Sequence, residues 1–73
     1  MNDCQELKDI IDKINNIIDL IERRNKIRSL LEEIFALIAS VIPGFPIPAL
    51  PLDDAGLDAF WIALGEAAQG VDC

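Results

Sequence analysis

The chain has 73 residues, 52% of them hydrophobic, and its 13 acidic and 6 basic side chains give a net charge of −7 at pH 7. This length fits one domain, near the size at which a single core only just offsets the conformational entropy lost on folding. The acidic balance argues against binding to nucleic acid and to anionic membrane surfaces, and the absence of histidine excludes histidine-dependent catalytic triads and metal sites within one chain.

The first predicted helix covers about residues 3–24. Its leucine and isoleucine residues recur at spacings of three and four between Leu7 and Ile21, which is typical of a helix with one buried stripe. Asp3 and Glu6 match a capping box at its start. Heptad positions filled almost entirely by isoleucine favour three- or four-stranded bundles, so this stripe is a candidate contact to other chains. Its candidate interaction residues are Ile10, Ile14, Ile17 and Ile21.

A second apolar stripe begins at Ile27 and would lie on the opposite face of the same helix, since each residue advances about 100°. Two arrangements satisfy this pattern: a turn within residues 22–29, or a long straight helix whose halves meet different partners. We favour the turn, because Asn25 tolerates the left-handed conformation that ends helices. Ser29 and Glu32 then provide a helix start signal, although no glycine or proline marks the turn.

The second predicted helix covers about residues 29–42. Its apolar arc is wider than that of the first helix, which indicates contact with neighbours on two sides. The helix ends at Pro43 and Gly44, because proline lacks the backbone donor and glycine permits a turn. Its candidate interaction residues are Phe35, Ile38 and Ile42.

An apolar connector with four prolines and no charged side chain follows over residues 43–52. Proline restricts the residue before it to extended geometry, so we expect a polyproline-like segment that rises about 3.1 Å per residue. Ten such residues reach about 30 Å, roughly the length of a twenty-residue helix. The connector can therefore run the full height of a helical hairpin and lay four apolar side chains along it, namely Phe45, Ile47, Leu50 and Leu52. Phe45 is also a candidate interaction residue.

Residues 34–52 carry no charge, and on hydropathy alone their length suggests a membrane span. Four prolines and Gly44 leave only about nine helical residues there, too few to cross a hydrocarbon layer of about 30 Å. An interfacial segment flanked by the basic residues 23–28 remains an alternative. A buried connector is the simpler interpretation.

The third predicted helix covers about residues 54–71, and an aspartate at its start supplies the N-cap. Phe60 and Trp61 belong to its apolar face, where core packing is the commoner fate of such side chains and a partner hot spot is the alternative. Ile62 falls on the other side, either as a single exposed residue or as a partner contact. All three are candidate interaction residues.

Two cysteines, Cys4 and Cys73, lie near the two ends of the chain. An up-down-up bundle would hold them at opposite ends, whereas a connector that climbs back along the hairpin would return Cys73 to Cys4. A disulfide closing nearly the whole chain would then stabilise the fold by about 4 kcal/mol. Free thiols in a reducing compartment are the favoured interpretation. The first ten residues lack a basic segment followed by an apolar one, so we expect an intracellular or particle-associated protein.

These patterns predict an all-α fold in one domain over residues 1–73: a small three-helix module, made of a helical hairpin and a third helix, with an extended proline-rich connector. We expect neither catalytic residues nor a cofactor nor a metal; Asp53, Asp54 and Asp58 match no calcium loop. The predicted function is non-catalytic assembly or adaptor work through helix packing with itself or a larger protein partner, as in a homo-oligomer or a small component of a viral or other large particle. The alternatives are an acidic inhibitor that blocks a basic target surface and a peripheral membrane peptide.

Overall fold

Four helices follow one another along residues 2–73, the part of the chain that the computed structural model describes. They are α1 (Asp3–Asn15), α2 (Leu20–Ser29), α3 (Leu31–Val41) and α4 (Asp54–Gln69), and no strand occurs within residues 2–73. The predicted all-α fold class is confirmed, with packing like that of a three-helix module. The bounds of the helices differ from the predicted ones, most of all in the first half of the chain.

The first half of the chain has two helix breaks, at residues 16–19 and at Leu30, and the predicted turn within residues 22–29 is wrong because those residues lie in α2. The backbone N–H of Asn16 donates to the carbonyls of the last turn of α1, and the Asp19 carboxylate accepts from the N–H of Glu22 at 2.9 Å to begin α2. Asparagine and aspartate favour helix ends because their side chains bond to nearby backbone groups. Asn25, the predicted turn residue, lies inside α2.

The other helix ends are set by local hydrogen bonds. Asn2 caps α1 by accepting from the N–H of Gln5 at 3.2 Å, so the cap precedes the predicted capping box by one residue. Leu30 separates α2 from α3. Asp53 caps α4 by accepting from the N–H of Gly56 at 2.7 Å. The helix ends at Gln69, two residues earlier than predicted, because Gly70 follows as its C-cap.

The core draws side chains from all four helices. α1 packs most extensively on α3, and Ser40 near the end of α3 donates to the Asp3 carboxylate at the start of α1 at 2.9 Å. These two helices therefore run antiparallel and form the hairpin of the fold. The buried residues are Leu7, Ile11, Ile14, Ile27, Leu31, Ile34, Leu37, Ile38, Leu57, Phe60, Trp61, Leu64 and Ala68.

The connector carries the chain back from the end of α3 to the start of α4. Gly44 turns the chain with a φ of +94°, a conformation that favours glycine. Phe45 packs edge-on against Phe60 with ring centroids 6.2 Å apart, and Leu52 packs on the core. Ile47 and Leu50 were expected to lie along the hairpin as well, but both are exposed. A polyproline segment has three residues per turn, so these two positions, three residues apart, share a face that differs from that of Phe45.

The two ends of the described chain meet at one side of the fold. Cys4 and Cys73 form a disulfide with a Cα–Cα distance of 5.9 Å, so the favoured interpretation of free thiols is wrong. The Lys8 ammonium also donates to the carbonyl of Val71. Because the connector returns the chain to the far end of the hairpin, α4 runs antiparallel to α1 and delivers Cys73 to Cys4.

Candidate interaction surface

Three ion pairs join α2 to α4, and the longest of them lies between Arg24 Nη1 and Asp54 Oδ2 at 3.9 Å. Arg24 binds Asp58 through both arms of its guanidinium, with Nε–Oδ1 at 3.0 Å and Nη2–Oδ2 at 2.5 Å. One turn along each helix, Arg28 binds Asp54 at 2.9 Å and also donates to the carbonyl of Leu52 at 2.8 Å. Because 24 pairs with 58 and 28 with 54, α2 and α4 run antiparallel in a fixed register.

Both partners of the Arg24–Asp58 pair are held in their charged forms. The hydrogen bonds from Arg24 lower the pKa of Asp58, and the positive charges of Arg24 and Arg23 lower it further against the opposing effect of desolvation. The hydrogen bond to Asp58 likewise raises the pKa of Arg24. The pair therefore stays ionised at neutral pH and fixes how the two helices lie side by side.

One helical turn beyond the Arg24–Asp58 pair, the facing positions of α2 and α4 hold aliphatic residues. Leu20 lies one turn before Arg24 and Ile62 lies one turn after Asp58, so the register places these two residues at the same level. Leu20 is 43% exposed and Ile62 is 64% exposed. Ile21, beside Leu20, is 68% exposed, and Ile18 in the loop before α2 is 99% exposed. We call Ile18, Leu20, Ile21 and Ile62 the aliphatic tip.

The loop at residues 16–19 is the local cause of this exposure. Ile17 folds back, with its N–H bonded to the carbonyl of Ile14 at 3.0 Å, and is half-buried. Asp19 must face the first turn of α2 in order to cap it. Ile18 stands between these two constraints and is left in solvent. Ile18 is therefore an isoleucine at a position that no other part of the fold buries.

Carboxylates surround the aliphatic tip. Asp19 adjoins Ile18 and Leu20, Glu22 adjoins Ile21, and Glu66 lies one turn beyond Ile62. Within residues 2–73 none of these three acids forms an ion pair. Two bases of α2 lie among the same residues: the charge of Arg23 acts on Asp58, and Lys26 lines a groove with Glu22 and Ile17. The surroundings of the tip therefore carry charges of both signs.

The predicted interaction residues separate into three groups by burial. Ile14, Ile38, Phe60 and Trp61 lie in the core, where the Trp61 Nε1–H donates to the Asn15 side chain at 2.9 Å. Ile10, Phe35, Ile42 and Phe45 are half-buried against that core, and Ile17 is half-buried in the loop. Ile21 and Ile62 remain on the surface, on the two helices that the Arg24–Asp58 pair joins.

Sequence reasoning missed Ile18 and Leu20 as surface residues. Read as one helix, the first stripe places Ile18 beside Ile14 and Ile21 on a face that has to be covered. The signal that could have found them is the pair of helix-end residues around the loop, Asn16 and Asp19. Because the helix breaks at these residues, Ile18 does not lie on the buried face of α1.

The acidic residues considered for metal binding have structural partners. Asp53 caps α4, Asp54 binds Arg28, and Asp58 binds Arg24. Within residues 2–73 no group of three or more cysteine, aspartate or glutamate side chains is arranged to hold a metal ion. A groove between α1 and α4, beside Lys8 and Gly65, has a volume of 270 Å³, which is below the usual size of a small-molecule pocket, about 300–1,000 Å³.

Comparisons with protein families, with curated proteins and with solved structures found no match for this chain. Among residues 2–73, none of the helices combines the length and the apolar character needed to span a bilayer.

Proposed function

We propose that this protein is a non-catalytic assembly or adaptor module that packs its aliphatic tip against a helix of a larger protein partner. The supporting observations are the exposure of Ile18, Leu20, Ile21 and Ile62 on a fold that covers most of its other large aliphatic residues, and the ion-pair register that sets Leu20 and Ile62 at the same level. Clustered exposed aliphatic residues with a polar rim are typical of protein interaction sites. The ion pairs between α2 and α4 hold the two sides of the tip in place before a partner arrives.

The size of the tip sets the strength of the interaction. The exposed fractions of its four side chains amount to nearly three complete side chains, and covering them contributes on the order of 4–8 kcal/mol. Association costs about 4–15 kcal/mol in lost freedom of motion. The tip alone therefore supports weak binding, and a stable complex needs further contacts at its rim.

A titration followed by NMR tests the proposal on the intact disulfide-bonded chain. The probe is a neutral helical peptide with leucines at positions i, i+3, i+4 and i+7 and glutamines elsewhere. We expect weak binding, with the largest amide shifts at residues 18–22 and near Ile62. The double variant Ile18→Ser, Ile21→Ser should abolish those shifts. Ile47→Ser, at an isoleucine of the connector that is 45% exposed, is the matched control and should leave them unchanged.

Two results would count against the proposal. Shifts confined to another surface would move the contact away from the tip, and an absence of shifts at the highest peptide concentration would remove the tip as a binding surface. Light scattering of the same samples reports self-association. A dimer that the double variant dissolves would assign the tip to a second copy of the chain instead of a larger partner.

A further inference from the structure

We infer that the disulfide between Cys4 and Cys73 is a redox switch. A dithiol reductant breaks the bond and releases residues 66–73, which we call the end segment, from the start of α1, while the remaining residues stay folded. The switch does not depend on the aliphatic tip or on the proposed function. Its physical basis is the uneven attachment of α4 to the other helices.

The first half of α4 is attached by side chains that lie far from the disulfide along the helix. Asp54 and Asp58 bind the two arginines of α2. Phe60 packs edge-on against Phe35 with ring centroids 5.6 Å apart, and the Trp61 indole donates to a side chain of α1. None of these contacts involves a cysteine, so the first half of α4 stays in place when the disulfide is reduced.

The end segment is attached mainly by the disulfide. Within residues 66–73 only Ala68 is buried, and Val71 is half-buried and accepts a hydrogen bond from Lys8. The last turn of α4, residues 66–69, carries no basic side chain to balance the helix dipole, and Gly65 before it has low helix propensity. Because few contacts offset the entropy lost in ordering these residues, they are the part of α4 that opens most easily.

A reductant can reach the disulfide. Cys73 is exposed, Cys4 is half-buried, and an open hollow between the start of α1 and the end segment borders Cys4. Exposed disulfides are the ones that thiols reduce readily.

The reduction is a pair of thiol–disulfide exchanges. A thiolate of the reductant attacks the exposed Cys73 sulfur and forms a mixed disulfide there, and Cys4 leaves as a thiolate that takes up a proton. The second thiol of the reductant then displaces Cys73, so the protein gains two electrons and two protons and the reductant becomes a disulfide. Oxidised glutathione reverses the change by accepting the two electrons and becoming two molecules of glutathione.

Opening of the end segment uncovers part of α1. Cys73 and Val71 contact α1 at Cys4 and Lys8. Ala68 lines a groove together with the buried Ile11. The reduced chain therefore offers a free Cys4 thiol and an apolar strip of α1 that the oxidised chain covers.

Backbone relaxation measured by NMR on the intact ¹⁵N-labelled chain tests the switch. In the oxidised chain we expect residues 66–73 to be rigid, with order parameters near about 0.85. Reduction with dithiothreitol should lower them below about 0.6, while residues 54–61 keep their values. Oxidised glutathione, added after removal of the reductant, should restore the rigid state.

Proteolysis by a glutamate-specific endoproteinase provides a second readout. Glu66 begins the end segment, and Glu33 lies in the first turn of α3 as an internal control. Cleavage follows the population of the open form, so reduction should raise the ratio of cleavage after Glu66 to cleavage after Glu33 roughly tenfold or more. An unchanged ratio would show that reduction loosens the whole fold evenly, and it would overturn the switch.

Variants separate the disulfide from the neighbouring hydrogen bond. Cys4→Ser with Cys73→Ser should have a flexible end segment without reductant and no response to dithiothreitol. Lys8→Met removes the donor to Val71 and should leave the end segment of the oxidised chain rigid. Lys13→Met, at an exposed lysine of the same helix, is the matched control.

Three results would overturn the inference. Flexibility of the end segment in oxidised Lys8→Met, with Lys13→Met unaffected, would assign its attachment to the hydrogen bond. An end segment that stays rigid after thiol titration shows complete reduction would remove the redox control. Loss of all helical circular dichroism on reduction would show that the disulfide holds the whole fold instead of one segment.

Discussion

Asp58 links the two helices that hold the aliphatic tip, and its ionisation makes the stability of the fold depend on pH. Because Arg24 lowers the pKa of Asp58 below the ordinary value of 3.8, the ion pair stabilises the folded state above that value. The stabilisation is lost as the pH falls through the lowered pKa. We therefore expect Asp58→Asn to reduce the melting temperature at neutral pH, with the difference from the natural chain shrinking below pH 3.8.

Thermal unfolding followed by circular dichroism at a series of pH values measures this difference. Asp12→Asn is the matched control, because Asp12 is an exposed aspartate of α1 that forms no ion pair within residues 2–73. Equal melting temperatures of the natural chain and Asp58→Asn at neutral pH would show that the ion pair does not stabilise the fold.

Two glycines should respond to alanine in opposite directions. Gly65 lies inside α4, and a Cβ there meets nothing within 4 Å, so Gly65→Ala should stabilise the fold by about 0.5–1 kcal/mol through higher helix propensity. Gly44 has a φ of +94°, so Gly44→Ala should destabilise it by roughly 1–2 kcal/mol. Equilibrium unfolding in guanidinium measures both. Destabilisation by Gly65→Ala would mean that a neighbouring group occupies the space beside that glycine.

At the scale of the elements, the apolar periodicity predicted which residues form helices but not where the first one ends. The loop at residues 16–19 has four residues, close to the 3.6 residues of one helical turn, so the stripe from Leu7 to Ile21 keeps its spacing across the break. Period alone therefore cannot reveal this loop. The loop is indicated instead by Asn16, whose backbone N–H bonds to the last turn of α1, and by Asp19, whose carboxylate caps α2.

The candidate interaction surface could be predicted only in part, because its residues lie on two helices that are far apart along the chain. Ile21 and Ile62 were candidates from the sequence, but only the contact between Arg24 and Asp58 shows that the helices carrying them lie side by side. These two residues are 34 positions apart. No local pattern indicates a contact over that separation, and burial of Phe60 and Trp61 likewise depends on the returning connector.

Alanine should change the stability of the fold in opposite directions at Asp19, which caps α2, and at Asn25, where the sequence predicted a turn. Asp19→Ala should destabilise the fold by about 1 kcal/mol, because it leaves the N–H of Glu22 without its acceptor. Asn25 is exposed in the middle of α2, so Asn25→Ala should stabilise the fold by up to about 0.7 kcal/mol. Denaturant unfolding measures both effects.

Asp19→Asn serves as the control for the cap, because asparagine caps helices about as well as aspartate and should stay within a few tenths of a kcal/mol of the natural chain. If Asn25→Ala destabilised the fold and Asp19→Ala did not, the turn of the chain in solution would lie near Asn25 and the loop at residues 16–19 would be helical.

For the whole molecule, the disulfide supplies the additional constraint that a 73-residue chain needs. The short chain buries a limited core, and Cys4 and Cys73 close a loop with a sequence separation of 69 residues. Removing the bond by Cys4→Ser with Cys73→Ser should lower the free energy of unfolding by about 4 kcal/mol, because the unfolded chain regains the freedom that the loop had removed. Urea unfolding with and without reductant provides the measurement.

The slope of the unfolding free energy against urea shows where this effect arises. Without the bond the unfolded chain is more expanded and exposes more surface, so the slope should rise while the midpoint concentration falls. Each single serine variant should match the double variant, since either one opens the same loop. A lower midpoint with an unchanged slope would instead assign the loss to native contacts near the bond, such as that between Lys8 and Val71, and an unchanged midpoint would show that the core alone sustains the fold.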